Sequence, residues 1–164
     1  MNKPIYVIAQ ELAIKYHAGQ KYGNDPYVKH LADVQMVLDR FWFGLNPVLV
    51  TAVYLHDILE DTPATEQDLM AEGIPIEVIR IVQLVTDQPG KDRHERKMAT
   101  YPRIASSRRA TIVKLADRIA NAESGDKIDM YKKEYYVFRK FLYNPDFDLQ
   151  EMWDHLDKLM DYKD

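Results

Sequence analysis

The sequence predicts an all-α fold, one compact domain in which seven or eight helices share a core. Three observations predict it. Apolar residues recur at spacings of three and four along almost the whole chain, which is the period of a helix face. Glycine and proline mostly stand between these stretches, where they punctuate helices. The 164 residues carry no internal repeat and no break in composition, so nothing divides them into two domains.

The elements follow in order. Ile5, Ile8, Ala9, Leu12, Ala13 and Tyr16 form one face of a first helix, with Pro4 suited to its first turn and Gly19 to its stop. Residues 20–26 are polar and turn-rich. A second helix is expected to begin near His30, to carry Leu31, Val34, Val37, Leu38 and Phe41, and to end at Gly44. Asn46-Pro47 reads as an N-cap followed by a first-turn proline, opening a third helix from Pro47 to about Asp61. Its middle, Val48 to Leu55, is nearly all apolar, which predicts the central buried helix. The valines alone would permit a strand; the cap and the later spacing decide for helix. Thr62-Pro63 ends it.

Thr65 caps a short helix closed by Gly73, and Ile76 to Val85 forms another with Ile76, Ile79, Val82 and Leu84 or Val85 inward. Pro89-Gly90 is a turn. Residues 91–107 are charged, weakly periodic and interrupted by Pro102, so one broken helix or two short ones around an exposed loop are expected. Arg109 to Glu123 is a core helix built on Ile112, Val113, Leu115, Ala116, Ile119 and Ala120, stopped by Gly125. A tyrosine-rich helix, Ile128 to Tyr143, and a last one from about Phe147 to Met160 are separated by Asn144-Pro145 and pack on the rest. The final Asp161 to Asp164 is polar, is expected to fray, and is given no function.

Composition narrows the function. Hydrophobic residues make up 46% and charged residues 29%, the usage of a folded globular chain. Cysteine is absent, so there is no disulfide framework, thiolate nucleophile or cysteine metal site. A formal charge of −4 excludes a globally basic nucleic-acid binder and leaves room for a local basic groove. No apolar run approaches the roughly 18 residues of a membrane span, and Lys3-Pro4 is followed by no leader-like segment. A cytoplasmic setting is expected.

The sharpest local feature is His56-Asp57-Ile58-Leu59-Glu60-Asp61-Thr62. On a continuous helix, the spacings His56–Glu60 and Asp57–Asp61 would put four ionisable groups on one side. An imidazole and three carboxylates together are expensive unless a cation or well-placed partners compensate them. A divalent metal would; a solvated helix end is the plainer alternative. Two further positions matter. His30 lies after Pro26-Tyr27-Val28-Lys29, and Asp117 sits among core residues in Lys114-Leu115-Ala116-Asp117-Arg118-Ile119-Ala120-Asn121. A mid-helix aspartate there should be paired with a cation or bound to metal.

At this point the chain resembles the HD-domain metal-dependent phosphohydrolases, most closely the small stand-alone alarmone hydrolases that remove the 3′-pyrophosphate from ppGpp and pppGpp. The resemblance rests on His17-Ala18-Gly19-Gln20-Lys21, Pro26-Tyr27-Val28-Lys29-His30, His56 to Thr62 and Lys114 to Asn121, all within residues 12–123. It implies an HD-type helical bundle over residues 1–164. It implies His30, His56, Asp57 and Asp117 as ligands of one divalent ion, Mn²⁺ foremost, and Glu60 and Asp61 as the pair that orients and activates water. Asn121 then lines the nucleotide site, and Lys21 helps to hold base and ribose. The chain departs from the family in reading Lys21-Tyr22-Gly23 where an arginine–lysine pair is usual. Tyr22 could stack on a base in its stead. That departure keeps open an HD phosphohydrolase acting on a nucleoside monophosphate or a dinucleotide cofactor. A non-catalytic nucleotide-binding protein of the same fold is the lesser alternative.

Charge placement points the same way. Residues 91–118 hold Lys91, Arg93, Arg96, Lys97, Arg103, Arg108, Arg109, Lys114 and Arg118 against Asp92, Glu95 and Asp117. In an acidic protein this is a candidate anion site, with Arg93, Lys97 and Lys114 the candidates to meet phosphate. Beside an acidic metal site it suits a small phosphorylated nucleotide better than a nucleic acid. His94 is expected to be exposed, and His17 and His155 to be structural. The aromatics of Phe41-Trp42-Phe43 and of the tyrosine-rich helix are mostly core, with enough left over for a homodimer face.

Overall fold

In the computed structural model, which describes residues 2–163, side chains cap the starts of four of the helices, at Asn46, Thr65, Asp92 and Ser107. Pro4 precedes α1, Ile5–Tyr16. A two-residue hairpin follows, β1 Lys21–Tyr22 paired antiparallel with β2 Asp25–Pro26. The second helix, α2 Tyr27–Arg40, therefore begins three residues before the expected His30, because the hairpin leaves Pro26 in place to start it. The Asn46 side chain accepts from the backbone N–H of Val48 and Leu49 (3.1 and 3.2 Å) and opens α3, Pro47–Leu55. Every residue of α3 from Leu49 to Leu55 is buried, as expected of a central helix.

The expected continuous helix 47–61 is broken. His56 N–H reaches back only to Val53 O, and Asp57 takes φ −103°, ψ 0°, outside the helical well. The Asp57 carbonyl then accepts from Glu60 and Asp61 to start α4, Ile58–Asp61. Thr65 and Asp68 form a reciprocal capping box on α5, Glu66–Ala71. Helix α6 is Ile76–Val85; its buried face is Val78, Ile79, Ile81, Val82 and Val85. Ile76, expected inward, is exposed, because the first turn precedes the packed stretch.

Residues 93–105 form one unbroken helix, α7 Arg93–Ala105, and not the broken pair expected. Asp92 caps it, and Lys97, Thr100, Tyr101 and Ile104 supply a buried face that its polar residues disguised. Pro102 lies on the exposed face, where the carbonyl it leaves free is open to water. Ser107 caps α8, Arg108–Ser124, whose residues Ala110 to Val113 and Leu115 to Ala122 are all buried. Then come α9 Ile128–Leu142, a 3₁₀ turn at Pro145–Phe147, and α10 Gln150–Leu159.

The described residues thus make ten α-helical segments, more than the seven or eight expected; the break after α3 sets short α4 apart from it. The two central helices are α3 and α8. Helix α3 packs on α1, α2 and α6; α8 touches α2, α3, α6, α7, α9 and α10. The all-α class stands. The C-terminal tail does not fray throughout: Tyr162 packs edge-on to Tyr135, and Asp161 pairs with Lys132. Asp164 lies outside the described residues.

Candidate metal centre and anion site

Three buried donors meet where α2, the α3–α4 junction and α8 converge. His30 Nε2 lies 3.1 Å from Asp117 Oδ1, and His56 Nε2 lies 3.4 Å from the same oxygen. One ligand atom from each of the three falls within 4.8 Å of the others. The break after α3 is what aims His56 here. It leaves the Val53 carbonyl 2.6 Å from His56 Nδ1, which donates to it. That bond orients the ring and turns Nε2 to the site, where it can take a proton or a metal ion.

The Nε2 atom is buried with no hydrogen-bond partner, facing Asp57 at 3.0 Å and Asp117. An imidazole nitrogen set against two carboxylates calls for a positive charge there, supplied by a proton or a metal ion. Burial alone would push the His56 imidazole down; Asp57 and Asp117 reverse this and raise it well above its ordinary value. The site is therefore built to hold a cation, and its two imidazoles and carboxylate fit a divalent metal.

Asp57 stands at the edge of this group. Tyr27 Oη donates to its Oδ2. Burial works against the charged form, but His56 and that hydrogen bond hold the carboxyl below its ordinary range. Asp117 is lowered more strongly: against burial, Lys114 at 3.0 Å and the two histidines keep it ionised. Asn121, one turn along α8, donates from Nδ2 to Asp117 Oδ1 at 2.8 Å.

Beyond Asp57, α4 turns Glu60 and Asp61 toward the mouth of the cavity. Glu60 is reached by solvent, yet partial burial beside Asp87 and Asp57 raises its carboxyl to about 7. Burial and Asp57 raise Asp61 as well. Asp87, on the loop after α6, accepts from Lys97 Nζ at 2.7 and 2.8 Å.

These groups surround one cavity of about 360 Å³. Lys21, Tyr22, His30, Asp57, Glu60, Asp61, Arg93, Lys97, Lys114, Asp117 and Asn121 line it, with His56 just behind its wall. The cavity lining carries both signs: the carboxylates and the histidine–aspartate group, and a basic wall of Lys and Arg from α7 and α8, of which Lys97 pairs with Asp87 and Lys114 with Asp117. Of the nine basic residues between 91 and 118, Arg93, Arg96, Lys97, Lys114 and Arg118 reach it. Arg108 and Arg109 do not: they turn to Phe147 O and Glu77. His94 is exposed and outside the lining.

Tyr22 is already engaged. Its ring stacks on His30 (4.6 Å, 15°), and its hydroxyl donates to Asn121 Oδ1 at 2.6 Å. It partitions the cavity from a larger groove of about 660 Å³, where, among the described residues, no second group of metal donors gathers. His17 is buried against Tyr27 and pairs with Gln20, and His155 pairs with Glu123, both outside the metal centre.

Four lining groups were not singled out from the sequence as site residues: Tyr27, Asp87, Lys127 and Tyr131. Tyr27 sits inside the Pro26 to His30 motif and could have been noticed there. Asp87 follows an apolar helix with only Thr86 between them, and no spacing links it to Glu60.

Fold and site together define a helical protein with a buried histidine–aspartate cation site, and residues 9–137 match the HD domain family, to which the chain belongs. Among its relatives is the guanosine-3′,5′-bis(diphosphate) 3′-pyrophosphohydrolase MESH1 of Drosophila melanogaster, 35% identical over 97 residues, which cover 58% of this chain and 54% of that protein. The MESH1 protein of Danio rerio is 31% identical over 115 residues, 66% of this chain and 62% of its own length. The matched stretch thus spans between half and two thirds of these relatives. A solved structure described as "a metazoan ortholog of SpoT" that "hydrolyzes ppGpp and plays a role in starvation responses" shares the fold. It superposes with a TM-score of 0.74 at 24% identity, covering 98% of this chain and 96% of that one.

Proposed function

We propose that the chain hydrolyses the 3′-pyrophosphate of (p)ppGpp to GDP or GTP and pyrophosphate, with Mn²⁺ as its metal. One observation carries the reading. A His30–His56–Asp117 centre, a carboxylate pair and a basic wall face a single cavity. Relatives named for this reaction support it. The same reading takes residues 1–164 as one catalytic domain working on a small nucleotide in the cytoplasm. It offers the exposed Trp42 and Leu45 as a dimer face.

In this reading His30, His56, Asp57 and Asp117 hold the ion. Bound there, it would polarise a phosphate oxygen and make a water more acidic. Glu60, raised to about 7, is matched to accept a proton from the attacking water at neutral pH, and Asp61 orients that water. The water oxygen attacks the 3′-linked phosphorus and the bond to the ribose 3′ oxygen breaks. Lys97, Lys114 and Arg93 neutralise the charge gathering on the pyrophosphate. Lys21 and Asn121 face the nucleoside side of the cavity.

A second reading has its own observation. Tyr22 occupies the hairpin beside Lys21 with one ring face on His30 and its hydroxyl on Asn121, which narrows the place for a base. That favours an HD phosphohydrolase for a different small nucleotide. Products resolved by chromatography from ppGpp, nucleoside monophosphates and NADPH, each with Mn²⁺, decide the matter. The expected result is pyrophosphate and GDP from ppGpp. Orthophosphate from a monophosphate at a much higher rate would replace the first reading with the second.

A further inference from the structure

On the basic wall, two guanidinium groups converge on one carboxylate from α9, Glu134. Arg93 donates to it twice, from Nε at 2.5 Å and Nη2 at 3.1 Å. Arg118 Nη1 approaches at 3.8 Å, too far for a hydrogen bond. Arg118 is 1% exposed, clasped between the rings of Tyr131 (4.5 Å) and Phe138 (4.3 Å). Its Nη1 is buried with no hydrogen-bond partner. The ring faces attract a cation but accept no conventional hydrogen bond, so this buried guanidinium has charge compensation without an acceptor.

Both arginines line the cavity of the metal centre; Glu134 stands beside them, outside its lining. Burial would raise the Glu134 carboxyl, but Arg93 overrides this and keeps it ionised. The Arg93–Glu134 pair is partly open to solvent, at 36% and 24% side-chain exposure, so exchanging its partner costs little. A phosphate group carries more charge than a carboxylate and three acceptor oxygens in place of two.

We propose that Glu134 is a resident competitor for an anion subsite built by Arg93 and Arg118. It holds the two cations when no phosphate is there and yields Arg93 to a phosphate of the substrate or to the pyrophosphate released. The inference rests on the phosphate-binding reading of the cavity and adds to it a built-in limit on anion affinity. A carboxylate that must be displaced weakens binding of substrate and product alike, and so keeps the product from occupying the site.

The test is calorimetric titration of inorganic pyrophosphate into the manganese-loaded full chain. Glu134→Gln keeps the shape and removes the charge; it should tighten pyrophosphate binding by ~10-fold, equivalent to ~1.4 kcal/mol. Arg93→Gln should weaken it by a similar factor. Unchanged or weaker binding in Glu134→Gln would overturn the proposal, since it would make Glu134 a tether for Arg93. Should Glu134→Gln fail to fold, Glu134→Asp keeps the charge but shortens the side chain by one methylene and so draws the carboxylate back from Arg93. Tighter binding in that variant supports the competition, and unchanged or weaker binding overturns it. No nucleotide enters the measurement. A chain that hydrolysed some other nucleotide would still show the Glu134 effect, and a ppGpp hydrolase without it would lose this inference alone.

Discussion

His56 shows how one residue can carry two constraints. Its Nδ1 is committed to Val53 O, which turns Nε2 to the site, 3.0 Å from Asp57 and 3.4 Å from Asp117. His56→Ala should therefore abolish stoichiometric manganese binding together with turnover, and Asp57→Ala should weaken both. Glu60→Gln should keep the metal and cut turnover by ~10²–10⁴-fold, the usual worth of a general base. Manganese calorimetry beside a rate assay separates the two classes; full turnover in Glu60→Gln would reassign the proton acceptor. Glu60 also predicts a pH dependence of stability in the metal-free protein. Its folded value, about 7, lies above the ordinary 4.5, so the folded state keeps a proton that the unfolded chain releases between those values. As pH rises through 7, the ionised carboxylate meets Asp87 and Asp57, and the stability gained from that retained proton is lost. Glu60→Gln has no such loss. Its melting temperature should match wild type near pH 4 and exceed it at pH 8, and equal melting temperatures at pH 8 would remove Glu60 from that environment. The four metal candidates and the acidic pair were legible because each is a polar group at a motif position or in an apolar run. Asp87 and Glu134 were not: their roles depend on Lys97 and Arg93 folding over them from another helix.

At the scale of elements, caps and apolar runs were the readable features. Asn46, Thr65 and Gly125 end or begin helices where their side chains or backbone freedom permit. Asn46→Ala removes an acceptor from two N–H groups at the start of the central helix and should cost ~1 kcal/mol. Denaturant melts should show a lower midpoint with an unchanged slope, and manganese affinity should hold, since α3 remains packed along its length. Two features resisted a periodicity argument. The break at His56-Asp57 has no glycine or proline to announce it. It follows from where the side chains end up, with His56 drawn to the Val53 carbonyl and Asp57 to Tyr27. Helix α7 hid its continuity because two of its four buried positions are Lys97 and Thr100. Those polar residues are buried because they have partners: Lys97 pairs with Asp87, and Thr100 accepts from Gln88 N–H.

Across the whole molecule, a −4 chain gathers opposite charges into the lining of one cavity. The metal donors come from three separate places: His30 on α2, His56 after α3, and Asp117 on α8. Without a metal, a proton on His56 and the Lys114 ammonium answer the carboxylates these elements bring together. With a metal, the same donors tie the two central helices to α2. Metal binding should therefore appear as folding stability, because the unfolded chain has no such arrangement to offer. At free manganese 100-fold above its dissociation constant, the gain is ~2.7 kcal/mol. For a chain of this size that is a rise in melting temperature of roughly 5–11 °C. Chelator should reverse it, and His56→Ala should show none of it. Scanning calorimetry of wild type with Mn²⁺, with chelator, and of the variant provides the comparison. A wild-type melting temperature indifferent to metal would show that the three donors do not close around an ion. An equal rise in His56→Ala would place the manganese elsewhere on the protein.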